Sequence, residues 1–226
     1  MRTPTLLLIV LLSFSASAQE TWTARTPCPG SARWGMACFD INGIGYMVGG
    51  RTAAGTDLNE LWAYDPATDT WHQKSPIPGA RTVASAFAIG GKGYVTCGAG
   101  SGTLLNDTWQ YDPSTNMWTA KATFPGTPRY GAASFVINEQ GYVSCGALGA
   151  AGGPCASDLW RYDPVQDLWS ARAGMPDQGR YGATGFSAEG MGYVVSGLQV
   201  DQTFTNELWE YDPTTNAWTT KATMPG

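Results

Sequence analysis

Four stretches of this chain read almost alike: NELWAYDPATDTW, NDTWQYDPSTNMW, SDLWRYDPVQDLW and NELWEYDPTTNAW. Repetition at this period constrains the fold before any other feature, because each unit must be one supersecondary element stacked on its neighbours. The first Trp of each falls at Trp62, Trp109, Trp160 and Trp209, with spacings of 47, 51 and 49 residues. A second Trp recurs at Trp22, Trp71, Trp118, Trp169 and Trp218, and Tyr-Asp-Pro recurs at Tyr64, Tyr111, Tyr162 and Tyr211. Gly-Tyr recurs at Gly45-Tyr46, Gly93-Tyr94, Gly141-Tyr142 and Gly192-Tyr193. Nine of the ten tryptophans occupy the two Trp slots, which makes them architectural and not a binding platform.

Each unit reads as four strands. Strand a is the small, apolar run after an Arg, as in RYGAASFVI; strand b is GYMVGG, strand c ELWAYDP and strand d TWHQK. Between c and d, Asp-Pro followed by Thr and Asn or Asp supplies a turn, since Pro fixes φ and Asn or Asp tolerates the left-handed region. An antiparallel four-stranded unit of this length, repeated radially, is a β-propeller blade, so the class is all-β. The blades are expected at 31–76, 79–123, 127–174 and 178–224. The 29 glycines suit many tight turns, while only 14% charged residues and a net charge of −5 exclude ordinary disorder and leave no basic patch for nucleic acid.

These residues resemble the kelch repeat, whose mark is a Gly-Gly doublet closing strand b, then a Tyr and a Trp about one strand later. Gly49-Gly50, Tyr64 and Trp71 match it in the first unit. Later units replace the first Gly by Cys97, Cys145 and Ser196, all small, and keep Gly98, Gly146 and Gly197. The likeness spans essentially 19–226 and is closer still to secreted bacterial kelch proteins called galactose-oxidase-like, many from Bacteroidetes. That label describes architecture, not chemistry. Kelch rings usually have six or seven blades and often close by pairing a leading d strand with strands from the chain's end. Trp22 lies in TWTARTPCPG, which aligns with TWHQKSPIPG, so 20–26 is expected to be such an extra d strand and the four blades part of a larger ring.

The first twenty residues, MRTPTLLLIVLLSFSASAQE, have the layout of a secretory leader: an early Arg, a short apolar run, and Ala16-Ser17-Ala18 before the cut. Residues 1–18 are therefore expected to be a signal peptide, leaving an exported chain, 19–226, without a membrane span. Of five cysteines, Cys28 shares a slot with Ile77, Phe124, Met175 and Met224, and Cys38 shares a small core slot with Ala86, Ser134 and Gly185. Cys97 and Cys145 close strand b, and Cys155 lies in a long loop that a Cys145–Cys155 bridge would pin.

The candidate site is the start of strand a. Arg33-Trp34-Gly35, Arg129-Tyr130-Gly131 and Arg180-Tyr181-Gly182 share a pattern of which Arg81-Thr82-Val83 keeps only the Arg. Radial repetition places these side chains around one mouth of the central channel. In kelch adaptors of ubiquitin ligases, Arg at this kind of slot lines the ligand face. The resemblance thus implies that Arg33, Arg81, Arg129 and Arg180 contact an anion or sugar. Each unit also carries an acid before its first Trp (Glu60, Asp107, Asp158, Glu207), which predicts a repeated ion pair tying blade to blade; the two roles are compatible. The loops between strands b and c vary between units and are the other candidates. No metal, cofactor or catalytic residue is assigned. A copper site like that of galactose oxidase needs two His, and this chain has only His72. The expectation is a non-catalytic propeller binding a protein or glycan; the alternatives are a carbohydrate-active enzyme such as a sialic acid mutarotase-like kelch protein, and a purely structural surface module.

Overall fold

The computed structural model describes residues 22–149 and 153–225. The leader expected at 1–18 lies outside these residues, as does the start of the expected leading strand. Four antiparallel sheets, each in the order a-b-c-d, follow one another along the chain. Blade 1 comprises Ala37–Ile41, Ile44–Val48, Leu61–Asp65 and Thr70–Lys74; blade 2 Ser85–Ile89, Lys92–Thr96, Thr108–Asp112 and Met117–Lys121. Blade 3 comprises Ala133–Ile137, Gln140–Ser144, Leu159–Asp163 and Leu168–Arg172; blade 4 Thr184–Ala188, Met191–Gln199, Phe204–Asp212 and Ala217–Thr220. The described residues thus form an all-β propeller arrangement of four blades. In blade 4 strands b and c run four residues further than in the others, past an irregularity between Val195 and Gly197. No helix among the described residues is long and apolar enough to cross a membrane.

Alternation builds each blade. In strand a of blades 1 to 3 every second residue is buried, as in Ala37, Phe39 and Ile41, so one face of the strand serves an interface. There the Phe of one blade meets the Gly of the next blade's Gly-Tyr pair. A Cβ added to Gly93 would lie 2.2 Å from the ring of Phe39, one added to Gly141 2.3 Å from Phe87, and one added to Gly192 2.2 Å from Phe135. The ring lies flat on bare backbone, which explains why these slots hold glycine. Gly45 of blade 1 has nothing within 4 Å, and Phe186 of blade 4 is 43% exposed, because no described blade stands on those sides.

A second contact latches each blade to its predecessor. The c–d turn carries an Asn or Asp at positive φ: Asp69, Asn116, Asp167 and Asn216. Its Oδ1 accepts the hydroxyl of the strand-c Tyr (Tyr111 to Asn116, 2.9 Å; Tyr162 to Asp167, 2.6 Å). The same oxygen accepts a backbone N–H from the segment leaving the preceding blade: Ser75 to Asn116, Ala122 to Asp167 and Ala173 to Asn216, at 2.9–3.0 Å. The strand-d Trp closes the latch by donating its indole N–H to the carbonyl of that same residue: Trp118 to Ser75, Trp169 to Ala122 and Trp218 to Ala173, at 2.7–3.0 Å. Residues 22–28 form no ladder, so the leading strand expected at 20–26 is present only as its docking contact. Thr26 occupies the latch of blade 1, donating to Asp69 and accepting from Trp71. A d strand needs the c strand of its own blade, and no described strand pairs with residues 22–28.

The same geometry decides the thiols. Cys97 and Cys145 are fully buried, and burial pushes their pKa up to about 12 and about 11. Cys38, expected in a core slot, is exposed, and Cys28 is half-buried rather than buried, because both face the side of blade 1 that no described blade covers. Cys145 and Cys155 are both free thiols. Alkylation of the native chain followed by peptide mapping should modify Cys38 and spare Cys97 and Cys145. Gly141→Ala should cost roughly 1–3 kcal/mol by overpacking against Phe87. Gly45→Ala, in the same repeat slot, should stay within about 0.5 kcal/mol, as an uncrowded surface change does. Denaturant unfolding of the two variants checks the pair.

Candidate functional site

The residues preceding strand a gather at one mouth of the propeller. Three backbone hydrogen bonds run from blade to blade around it: Val83 N–H to Gly35 C=O (2.6 Å), Gly131 N–H to Val83 C=O (2.9 Å) and Gly182 N–H to Gly131 C=O (2.8 Å). Every member of this belt has φ between 52° and 67°. Glycine takes that conformation without strain and explains three of the four positions. Val83 takes it as a β-branched residue, so the unit that departs from the Arg-aromatic-Gly pattern carries local backbone strain.

Beneath the belt, the arginines are consumed by the fold. Arg81 and Arg129 are 1% exposed and Arg180 is fully buried. Arg81 grips Asp107 through two bonds of 2.9 and 2.8 Å, and donates to the carbonyls of Cys97, Gly79 and Pro78. Arg129 holds Asp158 with both terminal nitrogens and reaches the carbonyls of Cys145 and Thr127. Arg33 bonds Glu60 at 2.5 Å, and Arg180 bonds Glu207 at 2.8 Å and also Asp177. Each of the four acids accepts a further bond from the indole two residues on, as in Trp109 to Asp107 at 2.6 Å.

The ion pair expected between blades closes within one blade instead: Arg81 and Asp107 head strands a and c of the same sheet. The backbone of the arginine makes the link between blades. The carbonyl of Arg81 accepts Gly50 N–H of blade 1 at 2.8 Å, and its N–H donates to Leu58 of blade 1 at 3.0 Å. Arg129 and Arg180 repeat this with Gly98 and Leu105 and with Gly146 and Ala156. The second Gly of the doublet therefore serves as the receiving donor, at φ near 100°.

Three of the acids are held below the ordinary carboxylate range. The Trp62 indole and Arg33 depress Glu60 against its burial. Burial pushes Asp107 up, and Arg81 together with the Trp109 indole more than reverses it. Arg180 is the leading cause for Glu207. A depressed pKa stabilises the fold above the unfolded carboxylate value and loses that contribution as pH falls through the folded one.

What the mouth presents to solvent is aromatic. Trp34 is 54% exposed and Tyr130 half-buried, and both line one cleft of about 600 Å³ with Thr82, Val83, Leu104 and Leu148. Tyr181 packs edge-on against Tyr130, with centroids 5.7 Å apart, but lines a separate hollow beside Phe204. Thr82, in the aromatic slot of blade 2, is buried and opens the cleft's floor. Sequence reading missed Arg51. Its guanidinium lies 6.0 Å from the Trp34 ring centroid and makes a two-bond pair with Asp57 (2.7 and 3.1 Å). Asp57 in turn accepts the Ser101 N–H of the next blade's loop at 3.0 Å. The only hint was an Arg and an Asp six residues apart in one variable loop.

The KLHDC2/KLHL20/DRC7 Kelch-repeats domain model matches residues 8–173. An F-box/kelch-repeat protein of Arabidopsis thaliana is 39% identical over 67 residues, which are 30% of this chain and 18% of that protein. A solved structure, that of YjhT, superimposes with a TM-score of 0.80 at 16% identity, covering 93% of this chain and 76% of the other. Arg129→Ala should lower stability by about 2 kcal/mol, less than for a fully buried pair because Asp158 keeps 40% of its side chain exposed. Thermal unfolding of the variant checks it.

Proposed function

This chain belongs to the KLHDC2/KLHL20/DRC7 Kelch-repeats domain family, and we propose that it is an exported, non-catalytic propeller that binds a protein or glycan ligand over its aromatic mouth. One observation carries the reading: a largely exposed Trp34 faces Tyr130 across a cleft of about 600 Å³, a size suited to a sugar or peptide segment. Exposed tryptophan offers a large rigid contact at low entropic cost, and the Arg51–Asp57 pair beside it adds donors and acceptors at the edge. In this reading the four arginines hold the scaffold beneath the cleft, and the ligand meets Trp34 and Tyr130, with Tyr181 on the neighbouring hollow. Glu60, Asp107 and Glu207 are bonded to Arg33, Arg81 and Arg180 and do not line the cleft, which supports binding over the mutarotase-like alternative. Export rests on the leader-like sequence of residues 1–18.

A glycan array that includes sialosides, run beside a peptide library, tests the proposal. Trp34→Ala and Tyr130→Ala should each abolish the binding seen with the natural sequence while leaving the melting temperature unchanged. Binding that survives both substitutions overturns the assignment of the mouth. Accelerated anomerisation of a free sugar, read by NMR, would favour the enzyme instead.

A further inference from the structure

Away from the mouth, the repeat breaks its own charge rule in one blade. The third residue of the strand-c motif and the last residue of strand d lie on one face of the sheet. In blade 4 the pair is Glu210 and, one residue past the end of strand d, Lys221; they form an ion pair of 2.7 Å, and Glu210 also accepts the Tyr193 hydroxyl. In blade 2 they are Gln110, which contacts the Tyr94 hydroxyl, and Lys121; in blade 1 they are Ala63 and Lys74. Blade 3 alone places two cations there, Arg161 and Arg172. The strand register is the same: Leu159 faces Arg172 and Arg161 faces Ser170.

Neither guanidinium has a carboxylate partner among the described residues. Arg161 Nε is buried with no hydrogen-bond partner, and Arg172 donates only to the carbonyl of Ala171, its own neighbour. Both line one pocket of about 360 Å³ with Tyr142, Gln140, Thr214 and Asn216, between the sheet of blade 3 and the c–d turn of blade 4. Asp163 and Asp212 are engaged elsewhere: Asp163 accepts the N–H groups of Val165 and Gln166 and the Gln140 amide, and Asp212 accepts the N–H of Thr214. Two like charges held on one face, one with a buried unpaired nitrogen, destabilise the sheet unless something neutralises them.

We propose that Arg161 and Arg172 form a binding site for a doubly charged oxyanion: free sulfate or phosphate, or a phosphate monoester. Two guanidiniums match the charge of such a dianion, and their planar forks match its oxygens. The hydroxyls of Tyr142 and Thr214 line the same pocket and can complete it. The site is separate from the aromatic mouth and does not depend on its assignment.

Isothermal titration with sodium sulfate, sodium phosphate and glucose 6-phosphate, at ionic strength matched with chloride, tests it. The natural chain should bind at least one of them, and preference for the ester over the free ions would identify a substituted ligand. Arg161→Glu rebuilds the blade 4 pair and Arg161→Gln the blade 2 arrangement, so both should fold. Each should weaken binding by at least about tenfold, as expected for losing a charge-assisted pair of bonds. No measurable binding to the folded natural chain, or equal binding by both variants, would overturn the proposal.

Discussion

The structure depends on how one blade holds the peptide group that leaves the blade before it. Ser75, Ala122 and Ala173 each have their N–H bound by an Asn or Asp side chain and their C=O bound by a Trp indole of the next blade. A strand leaving a sheet would otherwise carry unsatisfied backbone groups into a crowded interface, at a cost comparable to a lost hydrogen bond. The latch satisfies them and fixes the angle between sheets in the same step. Its parts support one another: the Tyr hydroxyl positions the Asn or Asp, and the Trp ring packs tilted against that Tyr with centroids 4.9–5.1 Å apart.

The arginine at the head of strand a is the matching device at the mouth. Its backbone belongs to the interface with the preceding blade, and its side chain belongs to its own blade. One residue therefore couples two sheets, and its guanidinium is left with little to offer a ligand. The side chains after Arg33 and Arg129 reach the cleft, where Trp34 and Tyr130 can meet a ligand, whereas Thr82 after Arg81 is buried.

Departures from the repeat are informative because the scaffold does not need them. Val83 at positive φ and the buried Thr82 are a local conflict between sequence and backbone, and they form the floor of the cleft. Arg161 beside Arg172 is a conflict of charge, in a slot where the other blades hold Ala, Gln or Glu. Local rules broken without an internal compensation are where function is to be sought.

The period and the turn chemistry of Asp-Pro-x-Thr-Asn were enough to give the all-β class and four blades. Repetition makes these legible, because a slot filled alike in every unit must serve contacts common to all units. The pairing of partners was not legible. Glu60, Asp107, Asp158 and Glu207 could be seen as mates for arginine, but whether the pair lay within a blade or between blades depends on how strands a and c are brought side by side. The glycine of each Gly-Tyr could be seen as small, but not that a phenylalanine of the preceding blade lies on it. Cys38 read as a core residue because its slot is one in the later blades, and only the stacking order shows that its side of blade 1 is uncovered. Sequence determined the blade, since its signals are local and recur four times; the tertiary structure decided which groups are consumed by stacking and which remain free, because that depends on contacts between residues nearly fifty positions apart.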